Sequence, residues 1–177
     1  MQNIIVLDRD GVINVDSDAY IKSADEWIPE AGSIEAIKAL KQAGWIVAIA
    51  TNQSGIKRGY YGRKQLSEMH QKMQALLGDD GVDWISYAPY LAEDQSTARK
   101  PKTGMLTAIE QRFGLSLEGM PMVGDTLADM QVALAKNMQP YLVTTGKGLR
   151  TLESNKALLS GVSVHHNLQN AVEAILK

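Results

Sequence analysis

The chain has 177 residues, 45% hydrophobic and 21% charged, the size of one ordinary domain with enough apolar content for a sizeable core. A net charge of −2, with acids and bases mixed along the chain, gives no basic stripe for nucleic acid and no polybasic anchor for a membrane. Without a cysteine there can be no disulfide and no cysteine-ligated zinc. The opening run Ile4–Leu7 is too short to cross a bilayer and lacks the flanks of a signal peptide, so the cytoplasm is the expected location.

In chain order, apolar runs at Ile4–Leu7, Trp45–Ala50, Trp84–Ala88, Met120–Val123 and Tyr141–Val143 read as buried strands. Helical periodicity separates them. Ile34, Ile37 and Leu40 share one face of a helix over 33–43 that Gly44 stops, and Leu66, Met69, Met73 and Leu76 do the same over 63–77. Further helices are expected over 105–113, 127–135 and 168–176. The alternation predicts one α/β domain spanning 1–177: a three-layer, Rossmann-like parallel sheet with helices on both faces. The Met and Leu stripes are read as core.

Ligands of such a sheet bind at the carboxyl ends of its strands. The first strand ends in Asp8-Arg9-Asp10-Gly11, and the second in Thr51-Asn52-Gln53-Ser54-Gly55. A polar loop after the third finishes Arg99-Lys100-Pro101, and the fourth ends in Gly124-Asp125, with Asp129 one turn on. Any one of these acids is more often a turn former or helix cap; four polar clusters on one sheet edge point to chemistry. Asp8 and Asp10, two apart, leave an extended backbone on the same face, where one would be ionised and the other able to carry a proton. An ionised Asp8 can attack phosphorus, and Asp10 can protonate the leaving oxygen and then activate water. Magnesium takes hard oxygen ligands, for which Asp8, Asp125 and the backbone carbonyl of Asp10 are candidates. Lys100 and the Thr51 hydroxyl can meet charge on the phosphoryl oxygens. Asp129 could orient Lys100, bind metal through water or cap a charge.

These words, in this order, resemble the four motifs of haloacid dehalogenase superfamily phosphatases. Thr51–Ile56 with Arg58-Gly59, Arg99-Lys100-Pro101 and Gly124–Leu127 resemble, within that superfamily, the D-glycero-D-manno-heptose 1,7-bisphosphate phosphatases and their histidinol-phosphate phosphatase relatives. The resemblance implies a magnesium-dependent, cytoplasmic, monomeric hydrolase without a cap domain. It would remove the C7 phosphate of a small sugar bisphosphate on the way to ADP-heptose and lipopolysaccharide, with histidinol phosphate as the alternative substrate. It further implies substrate contacts from Asp16, Tyr20, Asn52, Gln53, Ser54, Arg99 and Thr126.

Two features depart from the family pattern. The loop before Arg99 lacks the cysteines that hold zinc in many relatives, so Tyr87, Pro89 and Tyr90 are expected to order it by packing, or it is more mobile. Thr126 stands where relatives often carry lysine. Two rival readings fit the sequence less well. A phosphorylatable receiver domain would need an aspartate after the third strand, which ends in Ser86-Tyr87-Ala88. A degenerate sugar-phosphate binder would not need Asp8, Asp10, Lys100 and Asp125 together.

Overall fold

A computed structural model describes residues 2–177. Six parallel strands form one sheet: β1 (Ile4–Leu7), β2 (Ile46–Asn52), β3 (Trp84–Ala88), β4 (Pro121–Gly124), β5 (Gln139–Val143) and β6 (Ser163–His165). Their order is β3-β2-β1-β4-β5-β6. The connecting helices are α1 (Ser33–Gln42), α2 (Arg63–Leu77), α3 (Gly104–Phe113), α4 (Leu127–Ala135), α5 (Gly148–Ser154) and α6 (Leu168–Ile175). Among the described residues no helix is long and apolar enough to cross a membrane.

Strand alternation divides the core into two layers. Ile5 and Leu7 of β1, with Val47 and Ile49 of β2, pack against α1, α2 and α6. Ile4 and Val6, with Ala48, Ala50 and Met122, pack against α3 and α4. A strand covered on both faces must be apolar at every position, which is why β1 reads as an unbroken run. Helix ends follow local chemistry: the Thr126 hydroxyl accepts from the Asp129 N–H at the start of α4, and Gly114 closes α3 in the left-handed region.

Two elements were not anticipated, α5 and β6. β6 is three residues long with one apolar side chain, and α5 spans seven, both too short for a period to register. β2 also runs two residues past the expected Ala50, so Thr51 and Asn52 lie within the strand and pair with Tyr87 and Ala88.

No separate cap domain is present among the described residues; a loop segment, 8–32, covers that side instead. It is tied down by the fully buried Trp27 and by the Ser33 hydroxyl, which donates to the Ile13 carbonyl (2.7 Å). Lys72 of α2 donates to the carbonyls of Ala24 and Trp27 (2.7 and 2.6 Å). The loop is thus held by the fold's own helices.

Candidate active site

In this strand order β1 lies between β2 and β4, so the connections leaving β1 and β4 diverge and open a crevice at their carboxyl ends. Asp8 follows β1 and Asp125 follows β4. A cleft of about 360 Å³ sits there, lined by Asp8, Asp10, Lys100 and Asp125 among others.

Asp8 Oδ1 accepts from Lys100 Nζ (3.0 Å) and from the Arg9 N–H (2.8 Å), which fixes the carboxylate plane. Lys100 Nζ also donates to Asp129 Oδ1 (2.6 Å) and to the Ala50 carbonyl (2.6 Å). The Asn52 amide brackets the Lys100 backbone, donating to its carbonyl and accepting from its N–H, both at 3.0 Å. Lys100 is therefore positioned by its main chain as well as its charge.

Burial and the neighbouring Asp129 push the Asp8 carboxyl up to about 7, against the opposing pull of Lys100. Asp125 is likewise raised, by burial first and then by Asp8 and Asp129. Burial pulls the Lys100 ammonium down, but Asp129 and Asp8 outweigh it and the net direction is upward. Asp10 goes the other way. Burial would raise it, yet the Arg9 charge and hydrogen bonds from Arg9, Asn14 and Gln53 hold it below the ordinary carboxylate range.

One expectation about the aspartate pair is corrected. Strand alternation does not place them, because β1 ends at Leu7 and the chain then turns, with the Arg9 carbonyl accepting from the N–H groups of Val12 and Ile13 (3.2 and 2.8 Å). Arg9 folds back within that turn and donates to Asp10 Oδ1 (2.7 Å). Fully buried, it also reaches His70 Nε2 (3.2 Å), whose imidazole burial holds down at about 4 and therefore neutral.

Oxygens of Asp8, Asp125 and Asp129 lie within 4.8 Å of one another, a spacing that suits a divalent cation. Asp129 is the least available of the three. Its Oδ1 holds Lys100, and its Oδ2 accepts from the N–H groups of Asp125 and Thr126 (both 3.1 Å) and from the Thr126 hydroxyl (2.8 Å). Asp125 Oδ1, by contrast, is buried with no hydrogen-bond partner. An orphaned carboxylate oxygen beside a second carboxylate is what a hard cation would satisfy. Of the three roles open to Asp129, orienting Lys100 and the Asp125 loop matches its contacts.

The remaining sequence-predicted residues gather around the same cleft, with different freedom to touch a ligand. Gln53 is fully engaged: its amide donates to Asp10 Oδ2 (2.8 Å) and Thr51 Oγ1 (2.9 Å), and its carbonyl accepts from the Tyr61 hydroxyl (2.5 Å). Thr51 is buried behind it. Thr126 lines the cleft, but its hydroxyl is spent on the α4 cap. Asp16, Tyr20, Ser54 and Arg99 line the cleft as well. Tyr20 adopts a left-handed backbone (φ 68°) and packs edge-on to Tyr60. Arg99 donates to the Tyr90 carbonyl (3.0 Å) and the Leu91 N–H to Asp94 Oδ2 (2.8 Å), and Tyr87 packs against the core, so hydrogen bonds and packing both hold the 89–99 loop; Tyr90 itself is exposed. Of the histidines outside that loop, His166 is exposed and His165 stacks on Tyr141.

Sequence reasoning missed Tyr61, Arg9 and the whole turn after β5. There the Lys147 N–H donates to Asp125 Oδ2 (2.8 Å) and the Thr145 hydroxyl to the Gly11 carbonyl (2.6 Å). Gly11 (φ 83°) and Gly146 (φ 57°) meet back to back, and a Cβ on either would collide with the Asp125 carboxylate. The available signal was Gly-Lys-Gly two residues beyond the apolar end of β5, the same strand-end logic that located the other four clusters.

Known proteins of similar sequence and fold point to one family. The family described as polynucleotide kinase 3 phosphatase matches residues 3–139. The chain is 48% identical to a D-glycero-beta-D-manno-heptose-1,7-bisphosphate 7-phosphatase of Pseudomonas aeruginosa, over 99% of both chains. It is 44% identical to the Bordetella bronchiseptica protein of the same name, over 98% of both. The crystal structure of the B. bronchiseptica D,D-heptose 1,7-bisphosphate phosphatase, complexed with magnesium and phosphate, superposes with a TM-score of 0.94, covering 99% of this chain and 98% of that one. A Burkholderia thailandensis phosphatase described in the same words gives 0.76 at 37% identity, covering 99% of both chains.

Proposed function

We infer that this chain, which belongs to the D-glycero-beta-D-manno-heptose-1,7-bisphosphate 7-phosphatase family, removes the C7 phosphate of that sugar bisphosphate with the help of magnesium. The observation that carries the reading is the fixed Asp8–Lys100–Asp125 arrangement at the switch point of the sheet.

Asp8 attacks phosphorus, the bond to the C7 oxygen breaks, and an aspartyl phosphate forms on Asp8. Asp10 supplies the proton to the departing oxygen. In the resting protein Arg9 keeps Asp10 ionised, so its proton affinity must rise when the substrate's negative charge arrives beside it. In the second half-reaction Asp10 takes a proton from water as that water attacks phosphorus, releasing inorganic phosphate and restoring Asp8. Gln53, held by the Tyr61 hydroxyl, keeps the Asp10 carboxylate aimed through both steps. Lys100 meets the charge on the phosphoryl oxygens, and Asp129 keeps it there. Magnesium, held by Asp8 and Asp125 with the backbone carbonyl of Asp10, would neutralise phosphoryl charge and lower the repulsion between Asp8 and a dianion. The working unit proposed is a monomer; sedimentation that found only a tight oligomer would argue against it.

The test is a comparison of kcat/KM in magnesium across the β-heptose 1,7-bisphosphate, histidinol phosphate and an aryl phosphate. The bisphosphate is expected to lead by roughly 100-fold or more, since a site built for two anionic groups discriminates strongly against ligands that leave one unmatched. Equal values, or a preference for histidinol phosphate, would contradict the substrate named here.

A further inference from the structure

Three cations line the cleft: Arg99, Lys100 and Lys147. An ammonium has three N–H donors, and those of Lys100 are already taken by Asp8, Ala50 and Asp129. Lys100 is thus held beside Asp8, at the reacting end of the cleft, and has no donor to spare for a second phosphate. Lys147 is in a different position. Its Nζ has one hydrogen-bond partner, Asp16 Oδ2 at 2.5 Å, and its side chain is 40% exposed against 11% for Asp16. Two donors remain for a ligand in the cleft. The other nearby acid, Asp18, is taken by Arg150 at 2.9 and 3.3 Å, so it makes no demand on Lys147.

The backbone of Lys147 is also fixed with unusual care. Its N–H holds Asp125, and Gly146 before it is wedged between Gly11 and the Asp125 carboxylate. The start of the lysine stem is thereby set at constant reach from the metal-binding carboxylate, while the ammonium is free to move along the cleft wall.

We propose that Lys147 binds the non-reacting phosphate of the substrate, with Asp16 as its counter-ion in the resting site. A phosphate dianion carries more charge than the Asp16 carboxylate and offers several acceptor oxygens, so the lysine's free donors turn to it. Asp16 is then available to accept from a sugar hydroxyl. This rests on the reading that the substrate is a bisphosphate.

The experiment compares wild type, Lys147→Met and Lys147→Arg on the heptose 1,7-bisphosphate and on the 7-monophosphate of the same sugar. Lys147→Met is expected to lower kcat/KM for the bisphosphate by roughly 10- to 100-fold, mainly through KM, and to change the monophosphate value by less than about threefold; Lys147→Arg should restore most of the difference. Because each ratio comes from one preparation, partial misfolding cancels. Equal losses on both substrates would reduce Lys147 to a structural role, and no loss on either would remove it from the site; both overturn the proposal. A wild type that ignores the bisphosphate refutes the substrate reading itself, visible without any variant, and takes this inference with it.

Discussion

Asp8→Asn is expected to lower turnover by roughly 10⁴-fold or more while leaving the protein folded. An asparagine fits the same space and can still accept from Lys100 and the Arg9 N–H, the two bonds that orient Asp8. Its amide cannot attack phosphorus, so the covalent step is lost. The electrostatics make a second expectation. With its folded value raised to about 7 by burial and Asp129, Asp8 contributes stability that is fully present below its unfolded value and lost as pH rises through about 7. Around pH 8 and without metal, the ionised carboxylate therefore weighs against folding, and the neutral amide relieves it. The variant should melt no lower than wild type in chelator, and magnesium should stabilise it much less than it stabilises wild type. Steady-state turnover and thermal melts with and without magnesium check both statements. A variant retaining more than about 1% of wild-type kcat would contradict Asp8 as the nucleophile.

Lys100→Met is expected to damage stability and activity together. Lys100 is 3% exposed and Asp129 is fully buried. Removing the cation leaves Asp129 Oδ1 and the Ala50 carbonyl without their donor and two carboxylates facing each other in low dielectric. Breaking a buried pair from one side costs about 3–5 kcal/mol. Turnover should fall by roughly 10²–10³-fold or more, the scale for losing a preorganised donor to a charged transition state. Adding Asp129→Asn to Lys100→Met should recover part of the stability, because the stranded charge is gone, and none of the rate. Chemical denaturation in metal-free buffer with parallel kcat measurements reads both. Wild-type stability in the single variant would show that the buried charges are not organised around Lys100.

The candidate site could be located from the chain because parallel strands announce themselves. β1 is apolar at all four positions, being covered on both faces, and the polar residue that follows it is therefore a strand end. The same holds for β4 and Asp125. β5 gives a weaker signal: Gln139 is exposed, Pro140 interrupts the run, and only Leu142 and Val143 are fully buried. Its end carries no carboxylate, so the turn with Gly146 and Lys147 passed unnoticed, although it packs directly on Asp125. Arg9 was hidden for another reason. Alternation sends it to the face opposite Asp8, and only the turn beginning after Leu7 brings its guanidinium round to Asp10. Side chains that act inside turns, or through a second side chain as Tyr61 acts through Gln53, leave no periodic trace in sequence.

The arrangement is tested most directly by a crystal structure of the protein with magnesium and trifluoroberyllate, which mimics a phosphoryl group bonded to aspartate. Beryllium should be bonded to an Asp8 carboxylate oxygen, the cation should lie between Asp8 and Asp125, and Lys100 Nζ should contact a fluoride of the same group. An adduct on another residue, or one that the cation and Lys100 do not both touch, would contradict the mechanism.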